Sequence, residues 1–552
     1  MEGIPYHYSL LAAGAGCVGY GVWCLWEWYR IRSFGLKDIP GPGPEFYSLG
    51  NMRQVYQSEV GEIDFQWQEQ FGGIMRLKGP FGEDRLWVTD IKALHYIYQV
   101  SGYNFAKELG RREVTRSIGG QGILWADGET HKRHRKVVQP AFGIAETRAL
   151  LPIFRGCVER VTSKWKDILT GTPDSQEVIN VNDWLTRAAL DAIGEAGFDT
   201  SFGALDNAES DFVRTYHNLV ASAFGVPTKL KLFIIAMSPY LPHWILDLMY
   251  DYFPGEGLAR ARENRRVATK AAKDLVESKI QETRDGKSGR DILMLLVKAN
   301  KSFDKANRLN DVELVAQMRT LILAGHETTA NTLTFAFLEL AKYPEIQKKL
   351  RDEIRATRAA IRARGETDLK HSDYEGMAYL NAFIKEVLRF HPVSYNNFRQ
   401  AVKDDVLPLF NPVTTVSGKV LTEVPIPKGL IMVISIAACN RDKTIWGEDA
   451  NEFKPERWMK TQPRKGPNVG IYANMLTFSG GPRACVGYRF ALMEMQTFLV
   501  ELLNHFEFEM TDEATRVRRQ ASLVMVATVR GQEEKGVQMP LKVKFAPPEE
   551  DF

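Results

Sequence analysis

Apolar residues recur at helical spacing along most of this chain, and alternating apolar and polar runs are short. The longest helical pattern begins at Asn310 or Asp311, either of which is a good N-cap, and stops before Pro344. At about 1.5 Å per residue this helix is roughly 45 Å long. Further helices are predicted at 91–100, from 128 onward, at 381–389 and at 488–505.

Short alternating runs predict strands at 74–77, 86–88, 415–433 and 524–543. Residues 101–127 are expected to form a long, glycine-containing connection, a kind of segment that often binds ligands. The pattern as a whole predicts a mainly α-helical fold with small β-sheets.

The N-terminal segment differs in composition from the rest of the chain. Residues 8–26 carry no charge and are long enough to span a bilayer, which favours a retained anchor over a cleaved signal peptide. Arg30, Arg32 and Lys37 follow the apolar run, so the positive-inside rule places the body in the cytosol. We therefore predict an anchor at 1–29, a basic, Pro/Gly-rich linker at 30–44 and a globular body at 45–552.

A second apolar stretch, residues 230–252, is interrupted by Pro239 and Pro242 and so cannot be one clean membrane helix. Two interpretations remain open. It packs in the core, or it forms a lid that dips into a membrane and admits lipophilic molecules.

The long helix contains a polar interruption. Its apolar run ends at Leu323 and is followed by Ala324-Gly325-His326-Glu327-Thr328-Thr329. A mid-helix glycine costs about 1 kcal/mol relative to alanine, and a threonine hydroxyl competes for a backbone carbonyl. The pattern fits a helix crossing with a buried hydrogen-bond network, and it equally fits a catalytic notch.

A glycine-rich loop, Phe478-Ser-Gly-Gly-Pro-Arg-Ala-Cys-Val-Gly487, runs directly into the predicted helix at 488–505. Its three glycines let the backbone take positive φ angles and let a flat ligand approach the main chain closely. Cys485 stands where the helix begins, so the helix end is expected to hold it as a thiolate, the form that ligates iron. The alternative is that Cys485 is a small buried apolar residue.

Other charged residues recur at spacings that place them together. His131 and Arg135 lie four apart on one helical face, as Glu386 and Arg389 lie three apart on another. Arg457 follows in the run Phe-Lys-Pro-Glu-Arg-Trp at 453–458. A solvated basic face is the simpler interpretation of 131–136.

The loop resembles the Phe-x-x-Gly-x-Arg-x-Cys-x-Gly pattern of the cytochrome P450 haem-thiolate family at Phe478, Gly481, Arg483, Cys485 and Gly487. The polar interruption of the long helix is similar to the same family's oxygen-activation motif. The anchor and proline-rich hinge resemble its membrane-bound, eukaryotic microsomal and fungal-like members.

This resemblance implies a P450 fold in which haem b lies between the long helix, here called the oxygen helix, and the Cys485 loop. It implies that Cys485 ligates the iron and that Glu327 and Thr328 relay protons to dioxygen. The implied haem-binding residues are His131, which stands where the family usually has Trp, and Arg135, Arg399, Phe478, Arg483 and Gly487. The implied structural triad is Glu386, Arg389 and Arg457, and the implied substrate pocket contains Ala324, Val393, Phe398 and Val524.

Composition limits the classes of partner that are expected for this chain. The net charge of +3 is too small to indicate nucleic acid, and five cysteines without metal-finger spacing fit a reducing compartment. No flavin or nicotinamide fingerprint is evident, so electrons are expected from NADPH through a separate cytochrome P450 reductase, with cytochrome b5 as a second donor. The candidate docking residues for the acidic face of the reductase are Arg133, Lys136 and Arg489.

The sequence thus predicts a monooxygenase of the endoplasmic reticulum membrane with its catalytic domain in the cytosol. Its expected substrate is a hydrophobic small molecule, such as a terpenoid or other secondary metabolite. The alternatives are a fatty-acid or sterol hydroxylase, a haem-thiolate isomerase or dehydratase that consumes no dioxygen, and a non-catalytic haem-binding membrane protein.

Overall fold

The computed structural model describes residues 36–548, apart from 239–240, 287–288, 290, 305–306 and 461–465, together with positions 19, 21, 22, 26 and 29. The predicted anchor at 1–29 therefore lies almost entirely outside the described residues. Within the described part of the chain, no helix combines the length and the apolar character that crossing a bilayer requires.

The N-terminal third of the body alternates short helices with the first strands. Its elements are α1 (Met52–Gln57), α2 (Glu62–Phe71), β1 (Ile74–Lys78), β2 (Asp84–Val88), α3 (Ile91–His95), β3 (Phe105–Lys107), α4 (Leu109–Gly119), α5 (Gly128–Val138), α6 (Ile144–Ala149), α7 (Leu151–Thr170), β4 (Gln176–Asn180) and α8 (Val181–Phe198).

The middle of the chain is helical. It contains α9 (Asp211–Tyr216), α10 (Leu219–Phe224), α11 (Lys229–Met237), α12 (His243–Tyr252), α13 (Glu256–Arg284), α14 (Ile292–Ser302), α15 (Asp311–Lys342), α16 (Pro344–Ala363), α17 (His371–Gly376) and α18 (Ala378–Phe390).

The C-terminal part carries most of the strands. It contains β5 (Asn396–Ala401), β6 (Asp405–Thr414), β7 (Val420–Ile426), β8 (Ile431–Ser435), α19 (Ile436–Cys439), α20 (Lys443–Trp446), α21 (Tyr488–His505), β9 (Phe506–Glu509), α22 (Asp512–Thr515), β10 (Val517–Gln520), β11 (Val526–Val529) and β12 (Pro540–Phe545). The mainly helical fold with small sheets is confirmed.

The largest sheet has the strand order β1-β2-β8-β5-β3. Strands β2 and β8 run parallel and the other neighbours run antiparallel. The register sets Arg399 of β5 opposite Lys107 of β3. Two cations thereby become direct cross-strand neighbours, an arrangement that is unfavourable unless an anion lies close by.

The oxygen helix is α15. Asn310 is its N-cap, because Oδ1 of Asn310 accepts a hydrogen bond from the Glu313 N–H at 2.9 Å while Glu313 Oε2 accepts from the Asn310 N–H at 3.0 Å. The helix ends at Lys342, two residues before Pro344. Its span confirms the sequence prediction.

Helix α21 is anchored by aromatic packing at its start. The Phe490 ring meets Phe154 of α7 edge to face, with centroids 4.7 Å apart, and Phe142 at 6.5 Å. The helix also packs against α15 and α16. This packing fixes the direction from which the Cys485 loop leaves the core.

Two predicted segments turn out differently in detail. The predicted connection at 101–127 contains β3 and α4, and α4 forms because the Glu108 carboxylate accepts hydrogen bonds from the Gly110 and Arg111 N–H groups at its N-terminus. The apolar stretch at 230–252 forms two helices. In α11 Leu232 and Ala236 are buried, whereas α12 has no fully buried side chain among its described residues. Core packing therefore describes only the first half of that stretch.

Candidate active site

The Cys485 loop is closed by a backbone hydrogen bond from the Cys485 N–H to the Phe478 carbonyl at 2.8 Å. Gly481 has φ +62°, and a Cβ there would lie 1.7 Å from the Tyr98 carbonyl oxygen. A Cβ at Gly480 would lie 2.1 Å from the Val469 carbonyl oxygen. Both glycines are required by close backbone contacts rather than by flexibility.

Of the three loop glycines, Gly481 uses the freedom to take a positive φ, whereas Gly480 has φ −146° and Gly487 has φ −93°. A Cβ added at Gly487 would meet only the Phe142 ring among the described atoms, at 3.6 Å. The backbone angle of Gly487 therefore does not explain why this position is a glycine.

Burial of the thiol raises the pKa of Cys485, whereas a hydrogen bond from the Gly487 N–H and the nearby guanidinium of Arg135 favour its negative charge. In the metal-free protein the two favourable contacts do not outweigh burial. A coordinating metal ion would supply the missing stabilisation, because it deprotonates a thiol directly.

Several cationic side chains lie close to this loop. Arg399 is buried, lies over the Tyr98 ring at 5.3 Å and, among the described residues, hydrogen-bonds to the Phe398 carbonyl alone, at 3.1 Å. Burial and the neighbouring charge of Arg483 lower its pKa. Burial and the charges of Arg399 and Arg483 also lower the pKa of Lys107, to about 7. These charges repel one another.

Arg483 has an internal partner that the sequence did not reveal. Its guanidinium forms an ion pair with Asp127, with Nε 3.0 Å from Oδ1, and donates to the Gly102 carbonyl at 2.5 Å. Arg135 donates to the Ala484 carbonyl and, through Nε, to Gln139 at 3.1 Å. Arg483 and Arg135 thus also fasten the Cys485 loop to α5 and its N-cap.

His131 is buried, and its Nδ1 lies 2.9 Å from the Tyr103 hydroxyl. Burial and the charges of Lys107, Arg483 and Arg135 lower its pKa to about 3. At neutral pH His131 is therefore an uncharged hydrogen-bonding group and adds no positive charge to this helix.

These residues fit haem b. The Cys485 sulfur would serve as an iron ligand, while Arg135, Arg399 and Arg483 supply positive charge that, among the described residues, the carboxylate of Asp127 offsets only in part. Two haem propionates would neutralise that excess. Phe478, whose carbonyl closes the loop, also lies against the rings of Tyr472 and Tyr488.

The notch in the oxygen helix is a local hydrogen-bond rearrangement. The Thr328 hydroxyl donates to the Ala324 carbonyl at 2.7 Å, as the pattern predicted. A Cβ on Gly325 would lie 2.9 Å from Ile193 of α8, so glycine permits the close approach of the two helices. The Glu327 carboxylate is 4.0 Å from His326 Nε2, and the Asn331 side chain donates to the Glu327 carbonyl at 2.7 Å.

The predicted structural triad forms. Both side chains of the Glu386–Arg389 pair are fully buried, and two hydrogen bonds of 2.7 and 2.8 Å join them. Arg457 Nε lies 3.5 Å from the same carboxylate, which also accepts from the Trp458 indole at 2.8 Å. Arg389 additionally donates to three backbone carbonyls, those of Asn440, Ala450 and Glu452. The triad thus ties α18 to the segment that precedes the Cys485 loop.

The four predicted pocket residues come from three parts of the chain, namely the oxygen helix, the region of β5 and the segment before β11. Val393 and Val524 are near each other, because the Met525 N–H donates to the Val393 carbonyl at 2.8 Å, and Ala324 belongs to the notch. Phe398 stacks against Tyr56 and under Arg111, away from the strand face that carries Arg399. Period-two alternation along β5 would have separated Phe398 from Arg399.

A cavity of about 90 Å³ opens beside Val524. Its lining is mainly apolar and comes from α1, α4, α11 and the segment before β11, with Tyr56, Val114, Ile235, Tyr395 and Leu523 among the contributors. Glu108 and Arg111 add polar groups. The sequence patterns did not identify this cavity, because its walls are far apart along the chain.

Sequence reasoning also missed Lys107, Asp127, Tyr98 and Tyr103. Asp127 carried a usable signal, since it precedes the predicted helix at 128 as an N-cap and its Oδ1 accepts from the Gly128 N–H at 2.7 Å. The other three had none, because only the tertiary fold places them near Arg399 and Arg483.

Comparison with known proteins agrees with this geometry. The family model described as Cytochrome P450 matches residues 40–532. Cytochrome P450 monooxygenase 205 of Postia placenta is 31% identical, with 97% of this chain and 98% of that protein covered. Cytochrome P450 monooxygenase 128 of the same fungus is 33% identical over 99% of each chain. Cytochrome P450 monooxygenase claQ of Ampulloclitocybe clavipes is 32% identical, with 92% of each covered.

Proposed function

Because the chain belongs to the cytochrome P450 family and is one of its haem-dependent monooxygenases, we propose that it inserts one oxygen atom of O2 into a hydrophobic small molecule. A terpenoid or other secondary metabolite is the proposed substrate class, with a fatty acid or a sterol as the alternative. Like other members of the family, the enzyme contains haem b and receives electrons from a separate reductase.

When bound, haem b supplies the oxidising chemistry, and the chain supplies everything around it. Cys485 would provide the sulfur ligand, while Arg135, Arg399, Arg483 and His131 would provide charge and hydrogen bonds for the propionates. The Thr328 hydroxyl, which is already engaged with the Ala324 carbonyl, and the Glu327 carboxylate hold and pass the protons that oxygen cleavage consumes.

The mainly apolar cavity beside Val524 is the observation that carries the substrate proposal. Apolar walls favour a ligand that loses little by leaving water, and the few polar groups at Glu108 and Arg111 would orient it. A sugar-like substrate, with polar groups on every side, would leave some of them unpaired against Val114, Ile235 and Leu523.

We also propose attachment to the endoplasmic reticulum membrane through residues 8–26, with the body in the cytosol. The exposed apolar side chains of α11 and α12 support contact with lipid, since Leu230, Trp244 and Tyr252 are 60%, 68% and 78% exposed. Removal of residues 1–29 is expected to shift the protein from the membrane fraction toward the soluble one. Retention in the membrane fraction would then be assigned to α11 and α12.

The proposed electron donors are NADPH–cytochrome P450 reductase and cytochrome b5. Of the three predicted docking residues, Arg133 is held by Glu313 at 2.9 Å and by the Arg308 carbonyl. Lys136 is exposed and Arg489 is half-buried beside Tyr488, so these two remain the proposed contacts for an acidic partner surface.

The deciding experiment is a spectral titration of the haem-loaded protein with a panel of hydrophobic metabolites, followed by turnover with NADPH and reductase. We expect a ligand that shifts the haem spectrum to be oxidised with consumption of one O2 per product. Product formation without oxygen uptake would instead identify an isomerase or dehydratase. Binding without any product from the whole panel would favour a non-catalytic haem protein.

A further inference from the structure

A basic cleft of about 760 Å³ lies between helix α13 and the oxygen helix. The α13 residues recur every three or four positions, so they share one helical face. The cationic residues of the cleft are Arg262, Arg265, Arg266, Lys270, Lys273 and Arg319.

Two of these six cations are neutralised by carboxylates. Arg266 pairs with Glu263 at 2.6 Å, and Arg265 pairs with Asp251. Among the residues that the structure describes, Arg262 donates to two backbone carbonyls, those of Tyr250 and Phe253, and to no carboxylate. In the described part of the chain, Lys270, Lys273 and Arg319 form no ion pair. The cleft therefore carries about four unneutralised positive charges.

Arg319 lies at the inner end of the cleft and is only 7% exposed. One guanidinium nitrogen donates to the Ile118 carbonyl of α4, while its buried Nε has no acceptor among the described atoms. Burial lowers the pKa of Arg319, and the nearby positive charge of Arg265 lowers it further. A buried arginine without a counter-ion is unfavourable unless an anion enters the cleft.

We propose that the basic cleft binds a phosphate or diphosphate group, with Arg319 at its inner end and Lys270 and Lys273 at its mouth. A guanidinium fork matches two phosphate oxygens, and several converging cations match a multiply charged group better than a single carboxylate. The phosphate belongs either to a soluble molecule or to a lipid headgroup, since Arg262 also contacts the end of the exposed helix α12. This site is separate from Cys485 and its arginines.

The first test is calorimetric titration of the full-length, haem-loaded protein with inorganic pyrophosphate at low ionic strength. We expect saturable binding to wild type and affinity about tenfold or more weaker in Lys270→Gln/Lys273→Gln and in Arg319→Met, because each loses charge-assisted hydrogen bonds. Arg260→Gln is the matched control. It removes the same charge from the opposite face of α13, and its affinity should equal that of wild type.

The second test is flotation with phosphatidylcholine vesicles, with and without phosphatidic acid. Pyrophosphate binding that shows the variant pattern identifies a soluble phosphate ligand. Phosphatidic-acid-dependent flotation lost in the same variants, without pyrophosphate binding, identifies a lipid headgroup. Absence of both, or an equal loss in Arg260→Gln, overturns the proposal.

The lysine double variant changes only exposed side chains, so the test does not depend on whether Arg319→Met folds. An unchanged carbon monoxide difference spectrum in that variant would show that its haem site is intact.

Discussion

At the scale of single residues, the candidate site depends on polar groups whose partners lie within one or two turns of helix. Thr328 is bonded to Ala324, and Glu386 to Arg389. Such local bonds orient a side chain before any ligand arrives, so small substitutions should separate the roles of these residues.

Thr328→Ala should uncouple oxygen use from product formation. The variant keeps the helix but loses the only hydroxyl at that position, so proton delivery in the notch fails. We expect continued NADPH consumption, more hydrogen peroxide and about tenfold less product per NADPH. The control is Thr332→Ala, because Thr332 forms the same bond one turn later, to the Thr328 carbonyl at 2.8 Å. Equal coupling in the two variants would contradict the assigned role.

Glu386→Ala should prevent haem incorporation rather than slow turnover. It leaves Arg389 buried without its carboxylate, which costs about 3 to 5 kcal/mol. Haem content per protein and the melting temperature measure the effect. Glu375→Ala removes a partly exposed carboxylate 3.7 Å from Arg148 and should cost less than about 1 kcal/mol. A Glu386→Ala protein purified with full haem content would refute the prediction.

At the scale of elements, the oxygen helix is positioned by its contact with α8. The contact is close because Gly325 has no side chain to meet Ile193. Ridges of side chains normally separate packed helices, and a glycine lowers that separation locally. The same glycine brings the notch next to the α8 backbone and side chains.

Gly325→Ala should destabilise the protein by up to about 2 kcal/mol. Overpacking costs about 1 to 3 kcal/mol and exceeds the gain in helix propensity of about 1 kcal/mol. Thermal melting measures this loss of stability. Adding Ile193→Ala to the Gly325→Ala protein should remove the clash, and the double-mutant cycle should give a coupling free energy of about 1 kcal/mol. Gly197→Ala on α8, whose added Cβ would meet Ile193 at an ordinary 3.5 Å, should be neutral or stabilising. A Gly325→Ala protein as stable as Gly197→Ala would show that the helices can move apart freely.

At the scale of the whole molecule, stability is linked to pH through buried histidines. Burial lowers the pKa of His326 and of His391 to about 4, from an ordinary value of 6.5. The unfolded chain therefore binds more protons than the folded protein between these values. The contribution of these two histidines to the free energy of unfolding is therefore fully present above about pH 6.5 and is lost as the pH drops toward 4.

His326→Phe should flatten part of this pH dependence. Phenylalanine keeps an aromatic ring against Tyr216, whose centroid is 5.4 Å away, but binds no proton on unfolding. The shift of the His326 pKa corresponds to at most about 3 kcal/mol of the free energy of unfolding. Wild type should lose this contribution between pH 6.5 and 4, and the variant should not. Melting curves across this range measure it. Equal losses in both proteins would mean that His326 is protonated without unfolding.

The sequence by itself determined the oxygen helix, the Cys485 loop and the Glu386–Arg389 pair. Capping, periodicity and short-range spacing act over a few residues, so their signals are written in neighbouring positions. It did not determine the φ angles of Gly480 and Gly487, the pKa of Cys485 or the Arg483–Asp127 pair. Those depend on burial and on contacts between residues more than a hundred positions apart, such as 127 and 483.

The tertiary structure alone decided that β5 pairs with β3 in the register that sets Arg399 beside Lys107. It alone joined α13 and the oxygen helix into the basic cleft. Strand register and helix packing are properties of the assembled core, because each strand or helix finds its neighbours only when the apolar faces of distant segments are buried together.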